Sequence, residues 1–397
     1  MNNFVFISPN FPENYRYFCR ELKENGMNVL GIGDQPYDEL SFDLKEALRE
    51  YYKVGSLEDY DQVYRAVAFF AFKYGRIDWI ESNNEYWLEN DAKLRTDFNV
   101  TTGFKLDELP YFTRKSLMKQ SYEKAGIPVA RFCLPESLEE ALSFTKEVGF
   151  PVVVKPDRGV GASHTYRLKN EEELEEFWKN KLSGITFIME EYVYGDIISY
   201  DAIIGSSGDV IFETGNVTPG SIMDIVNEQK ETAYYIRKEL PENVRAAGRA
   251  AAKSFGVKSR FIHFEFFCLT KDQGHLGRKG DIVALEANMR PSGGFSTDMM
   301  NFAHSTDVYK IWADMVSFGR TGIKPGKHAF CAFLGRRDGR DYLYSDDDII
   351  GKYSEQIRLM QRMPDALSDD MGNRAFLAVF DTIEEVNAFF GDCTKRA

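Results

Sequence analysis

The chain has few cysteines, and their spacing neither binds metal nor builds a disulfide framework. Cys19, Cys133, Cys268, Cys331 and Cys393 are scattered, with no C-x-x-C. An odd, dispersed set predicts reduced thiols and an intracellular, cytoplasmic protein. The five histidines include no H-x-x-x-H pair, which argues against zinc catalysis. No apolar run approaches the ~18–20 residues of a membrane span. The opening MNNFVFISPN lacks the basic and apolar regions of a signal peptide. Basic residues are outnumbered, 49 Lys plus Arg against 62 Asp plus Glu, for a net charge of −13. That disfavours nucleic acid as a partner, because phosphate contacts need a basic surface. The first turn, SPNFPENY, is not G-x-G-x-x-G, which disfavours a nicotinamide-dependent dehydrogenase. A G-x-x-x-x-G-K-[ST] loop is also absent, as is any Ser-His-Asp or Cys-His constellation.

What is present reads as a folded protein of two or three domains. The chain has 397 residues, 43% hydrophobic and 28% charged. Strands at Phe4–Ser8 and Asn28–Ile32 flank a helix at Pro12–Asn25 whose Tyr15, Phe18, Cys19 and Leu22 share one side. This β-α-β opening predicts a parallel sheet covered by helices. Gly31-Ile32-Gly33-Asp34 reads as a turn after the second strand. A helix at Leu57–Lys73, a strand at Ile77–Glu81 and an exposed helix at Asn84–Asp97 follow. Turn formers and acids at 103–110 mark a boundary.

Beyond it, Thr113–Ala125 is helical. Ser137 to Glu140 reads as a capping box opening a helix that ends at Gly149. The strand Pro151–Pro156 ends in a lysine and runs into the glycine loop DRGVGAS. Asn170 caps the acidic helix EEELEEFW, a solvated face. Strands are expected at 186–191, 198–204 and 210–214, and helices at 241–255 and 306–318. After Gly322 the texture changes to short strands at 329–334 and 375–380. A last helix is capped by Thr382 with Glu385. This is an α+β tail.

The most informative stretch is 261–294, FIHFEFFCLT…DIVALEANMRPSGG. Read as two strands of period 2, it puts Phe261, His263, Glu265 and Phe267 on one face. Ile282, Ala284, Glu286, Asn288 and Arg290 share a face of the other. A hairpin lets Glu265 and Glu286 look at each other. Two carboxylates a few Å apart repel by roughly 4 kcal/mol at an effective dielectric near 20, so a compensating cation is needed. Glu, Glu and Asn oxygens suit Mg2+ or Mn2+ better than zinc. The bland alternative is a solvated sheet face followed by a glycine turn.

Lys155 at a strand end, with Gly159 and Gly161 just after it, can close on phosphate oxygens. Lys115 starts a helix, where anions are welcome. The segment Met189-Glu190-Glu191-Tyr192-Val193 reads as a hinge whose backbone can meet an adenine edge.

The order of these pieces resembles the ATP-grasp superfamily: a lysine before G-I-P, V-V-V-K-P, a glycine loop, E-E-Y-V-x-G, H-x-E, then E-x-N-x-R. The resemblance covers about 111–319. It implies a fold of mixed α/β and α+β class, with a Rossmann-like pre-ATP-grasp domain at 1–108. The ATP-grasp domain would span 109–322, with a lid at about 150–192, and a small α+β subdomain 323–397. It further implies that Lys115 and Lys155 contact ATP phosphates under a lid loop of Gly159, Gly161, Ala162 and Ser163. Glu190, Glu191, Tyr192 and Val193 would form the adenine hinge. Glu265, Glu286 and Asn288 would hold Mg2+ (or Mn2+). Arg290 would brace an acyl phosphate or an acceptor carboxylate.

Relatives carry G-x-E after the hinge, and here Asp196 stands in that run. His263 has two readings, a proton-transfer or acceptor contact and a hydrogen-bonded sheet histidine. The implied activity is an ADP-forming carboxylate–amine ligase, with amino-acid or dipeptide ligation first. A bicarbonate-using carboxylase and an ATP-binding regulator are the alternatives. Small-molecule carboxylate and amine substrates are the expected partners, with a second copy in a homodimer and neither nucleic acid nor membrane.

Overall fold

The computed structural model describes residues 2–159, 164–219 and 231–397. Among them, the N-terminal unit is a four-stranded parallel sheet. β1 (Asn3–Ile7), β2 (Asn28–Gly33), β3 (Glu50–Lys53) and β4 (Trp79–Glu81) lie in the order β3-β2-β1-β4. α1 (Arg16–Glu24), α2 (Phe42–Ala47), α3 (Tyr60–Tyr74) and α4 (Leu88–Asp97) belong to the same unit. From Phe4 to Ile7 β1 is apolar because both its faces are covered. Phe4 and Phe6 pack with Phe18 and Leu22 of α1. Val5 and Ile7 pack with Val63, Val67 and Phe70 of α3.

Three expectations change here. Gly31 and Gly33 lie inside β2, not in a turn. A Cβ on Gly31 would come within 2.8 Å of Leu48 Cδ1, so the glycine permits close packing. α3 starts at Tyr60, where the Asp59 carboxylate caps it. α4 is not exposed: Leu88, Asp91, Ala92, Leu94 and Arg95 are buried, because its charges find partners inside.

α5 (Pro110–Thr113) and α6 (Lys115–Lys124) lead to a second, antiparallel sheet. It contains β5 (Phe132–Cys133), β6 (Val152–Pro156), β7 (Tyr166–Leu168) and β8 (Phe187–Glu191), ordered β5-β8-β6-β7. α7 (Leu138–Val148) and α8 (Glu171–Asn180) join it through Phe144, Val152, Val154, Leu174 and Met189. Ser137 caps α7, but only half the expected box forms. The Glu140 carboxylate accepts from the Glu136 N–H instead.

The third sheet is the largest. It begins with β9 (Gly195–Ile204), β10 (Val210–Thr214), β11 (Asn216–Thr218), β12 (Thr232–Ile236), β13 (Arg260–Leu269) and β14 (Ile282–Asn288). α9 (Glu242–Ser254), α10 (Ser296–His304) and α11 (Val308–Phe318) accompany it. The tail supplies β15 (Phe330–Arg336), α12 (Asp346–Lys352), β16 (Ile357–Arg362), α13 (Asp365–Met371), β17 (Arg374–Phe380) and α14 (Ile383–Thr394). These tail strands extend the central sheet. β15 pairs with β12, and the order runs β14-β13-β9-β11-β12-β15-β17-β16, with β10 on β9. Among the described residues no helix is long and apolar enough to cross a membrane. All five cysteines are free thiols.

Candidate functional site

β13 and β14 pair antiparallel, with Glu265 opposite Glu286 and His263 opposite Asn288. Just past this pair the register slips by one, so that Phe266 faces Ala284. Leu285 is the extra residue of a bulge, a device that re-aims side chains. The bulge reverses the parity of β14. Ile282 and Ala284, expected beside Glu286, instead join Phe264, Phe266 and Ala287 in the core shared with α6 and α9. On the other face, β9 sets Ser199 and Asp201 opposite Glu265 and His263.

The two carboxylates are compensated by protein cations. Lys115, the first residue of α6, lies 3.0 Å from Glu286 Oε1. Its ammonium also donates to the Gly159 carbonyl at 2.8 Å. His263 lies between two acids, Nδ1 2.7 Å from Asp201 and Nε2 3.2 Å from Glu265. Burial alone would lower the His263 pKa, but Asp201 and then Glu265 lift it to about 9. At neutral pH it is therefore an imidazolium, braced on both nitrogens. For Glu265, burial opposes ionisation, and His263, then Arg290 and Lys155, outweigh it and lower the pKa.

Across the cleft, Glu190 of β8 is clamped between two lysines. Lys155 Nζ and Lys119 Nζ each lie 2.9 Å from its oxygens, and all three groups are buried. Burial raises the Glu190 pKa, but the two lysines overcome this and bring it down to about 2. The lysines differ in their surroundings. Burial depresses both, yet Lys155 also feels Glu286 and Glu265 and ends above its ordinary value. Lys119 faces Glu190 and the like charge of Lys155, and ends below it. Lys119 was missed in the sequence. Its place four residues after Lys115, on the same helical face, is the signal that could have found it.

The other anticipated residues separate. Gly161, Ala162 and Ser163 lie outside the described residues, and Gly159 has φ +141°. Glu191 alternates away from Glu190, where it takes the Arg131 N–H at 2.6 Å and meets His275 at 2.9 Å. The Tyr192 carbonyl accepts from Gln273 at 2.7 Å, and Val193 is buried with Leu269, Leu276 and Val283. Asp196 is exposed opposite Cys268, in phase with Ile198 and Tyr200. That is the face packed on α9, so Asp196 is not brought to the carboxylate cluster.

Arg290 is brought to it. Its Nη1 donates to the Pro291 carbonyl at 2.9 Å, and its Nε lies 3.6 Å from Glu85 Oε2. Glu85 belongs to the N-terminal unit. A buried network fixes the chain before it. The Glu81 carboxylate takes Arg95 at 2.9 Å and also Arg260, while its other oxygen accepts the Ser82 and Asn83 N–H groups. Asp91 accepts the Ser82 hydroxyl at 2.6 Å. None of these partners was anticipated.

Glu265, Glu286 and Asn288 fit a hard cation chemically: two carboxylates and an amide oxygen, with ammonium and imidazolium now supplying the positive charge. Among the described residues no group of three or more His, Cys, Asp or Glu is placed to hold a metal ion, so the cation set here rests on two carboxylates and the Asn288 amide.

Comparison with known proteins adds to this geometry. Residues 120–277 match the model of the ATP-grasp domain family. The match stops short of Lys115, Glu286, Asn288 and Arg290, which the fold brings beside it. An L-arginine-specific L-amino acid ligase of Bacillus subtilis is 26% identical over 303 residues, 74% of this chain and 70% of that protein. An L-amino acid ligase structure from Bacillus licheniformis aligns over 98% of this chain and 96% of its own, with TM-score 0.73 and 15% identity. The biotin carboxylase domain of a Hydrogenobacter thermophilus 2-oxoglutarate carboxylase aligns over 98% and 88%, with TM-score 0.72 and 16% identity. At those identities the two structures share the fold.

Proposed function

Given that this chain carries an ATP-grasp domain, we propose that it is an ATP-dependent, ADP-forming ligase. It joins a carboxylate to an amine through an acyl phosphate, with amino acids as the first candidates on both sides. The observation that carries this is Lys115. One ammonium reaches a carboxylate of the Glu265–Glu286 pair and the backbone at the base of the glycine loop. That is where the phosphates of a nucleotide need a counter-charge on both sides. The similarity to an L-amino acid ligase over most of the chain supports the substrate class.

In this reading, Lys115 and Lys155 hold the ATP phosphates. Glu190, Tyr192 and Val193 border the adenine, and Glu191 buttresses the hinge through Arg131. Glu265, Glu286 and Asn288 would hold Mg2+ or Mn2+, which supplies charge neutralisation to the phosphoryl group in flight. The substrate carboxylate attacks the γ-phosphate, and the lysines stabilise the charge that develops. The amine then displaces phosphate. His263, already protonated between two acids, positions Glu265. The division into 1–108, 109–322 and 323–397, a cytoplasmic location and a homodimer belong to the same proposal.

The test is ADP and phosphate release with Mg2+–ATP against pools of amino acids and small carboxylic acids, singly and in pairs. Release that requires two substrates is expected. Release driven by bicarbonate would replace amide ligation with carboxylation. ATP binding without release from any pool would point to a regulator.

A further inference from the structure

The order β3-β2-β1-β4 places a topological switch point between β1 and β4. The chain leaves β1 toward β2 on one side and later returns to β4 on the other. In open parallel sheets the crevice at the carboxyl ends of such strands takes ligands. Both ends here turn through positive φ, Ser8 at 55° after β1 and Asn83 at 54° after β4. Neither residue is glycine, so the backbone is held in a conformation L-residues rarely adopt.

The crevice presents unsatisfied polar groups. Asn83 Nδ2 and Glu85 Oε2 are buried and have no hydrogen-bond partner among the described residues. Asn83 is 3% exposed and the Glu85 side chain 8%. Such groups are costly unless something binds them. The turn that carries them is rigid. Tyr15 donates to the Asn83 carbonyl at 2.6 Å, and Glu81 and Asp91 hold the Ser82 backbone. Arg290 enters from the segment just after β14, 3.6 Å from Glu85. That is too long for a hydrogen bond, so neither charge is saturated by the other.

An acidic acceptor and a guanidinium this close match the two charges of a small zwitterion, and the unpartnered Asn83 amide lies two residues before Glu85 in the chain. We propose that this crevice seats the amine substrate as an α-amino acid, with Arg290 and Asn83 on its carboxylate and Glu85 on its ammonium. This rests on the ligase reading above. To attack, the ammonium gives one proton to Glu85. Burial lifts the Glu85 pKa to about 7, against the pull of Arg290 and with Glu286 adding to the rise. The nitrogen then bonds to the acyl carbon, the carbon–oxygen bond to phosphate breaks, and phosphate leaves with that electron pair and the second proton.

The experiment compares two acceptors with the full chain and Mg2+–ATP. One is the best amino acid from the pool, and the other is hydroxylamine, which is neutral and has no carboxylate. In Glu85→Gln, the KM for the amino acid should rise about ten-fold or more relative to that for hydroxylamine, since a charge-assisted contact is lost. Glu85→Asp should recover most of that ratio. Equal changes for both acceptors, or none, overturn the assignment. Amino-acid amides, with the carboxylate capped, give a second readout that needs no variant. On the wild-type protein they should be at least about ten-fold poorer acceptors, and equal use overturns the proposal. Hydroxamate formation with no amino acid accepted defeats this inference alone. Neither hydroxamate nor amide from any acid defeats the ligase reading itself.

Discussion

Replacing Glu190 with glutamine removes the negative charge between Lys119 and Lys155 while keeping the shape. In the folded protein the Glu190 pKa falls from 4.5 to about 2. At about 1.4 kcal/mol per pKa unit, that fall is worth about 3 kcal/mol of stability at neutral pH. Because the folded pKa is depressed, the contribution is fully present above about pH 4.5 and is lost as pH falls toward 2. The variant also leaves two buried ammonium groups facing an amide, and breaking a buried pair this way costs roughly 3–5 kcal/mol. Lys119, whose pKa burial already lowers, should give up its proton first. The assay is urea unfolding of both proteins between pH 7 and pH 3, followed by tryptophan fluorescence. The gap should be about 3–5 kcal/mol at pH 7 and less than about half of that at pH 3. At still lower pH the wild type carries a neutral carboxyl between the same lysines, and the two proteins should converge. A gap below about 1 kcal/mol, or one that does not change with pH, would refute the clamp.

Lys155→Ala should weaken ATP binding by about ten-fold or more; an unchanged dissociation constant by calorimetry would remove this lysine from the nucleotide site. Glu286→Gln should reduce ADP formation by about 100-fold or more with an unaltered circular dichroism spectrum, and retained turnover would sink the metal assignment. Gly248→Ala in α9 improves helix propensity, yet its Cβ would drive into the buried Tyr200 ring of β9. A net loss of about 1–3 kcal/mol is expected in thermal unfolding, and a stabilised variant would show that α9 can shift.

What could be read from the sequence was what repeats at short range. The two-residue period was enough to set Glu265 against Glu286, and the motif order named Lys115, which meets Glu286, and Lys155, which pairs with Glu190 instead. The bulge at Leu285 was invisible, because one extra residue leaves no mark in composition, and so Ile282 and Ala284 were put on the wrong face. Asn84 to Asp97 looked exposed because its charges look solvated. Arg95 in fact reaches Glu81 14 positions away, and Arg260 reaches the same carboxylate from 179 away. Long-range pairing of that kind has no local signature. β3 and α2 were too short to show a period, and β16 was missed because the polar residues of Ile357–Arg362 outweigh its alternation. α10, which starts two residues after the P-S-G-G turn, was not assigned at all. Asp196, which stands one position off the G-x-E run, lies on the strand face that carries Ile198 and Tyr200, and a displacement of one residue is what decides the face in a strand.

The sheet that runs from β14 to β16 has a consequence for how the protein can be made. β12 pairs along one edge with β11, but its other edge is covered only by β15, nearly a hundred residues later in the chain. During synthesis the N-terminal parallel sheet can close early, but the hydrogen-bonding edge of β12 stays open until residues 330–336 have left the ribosome. A chain ended before them would present that edge to solvent and to other nascent chains, the arrangement from which aggregates grow. The last seventy residues therefore act as the closing piece of the nascent chain, and a truncated product is a substrate for chaperones and proteases rather than a smaller enzyme.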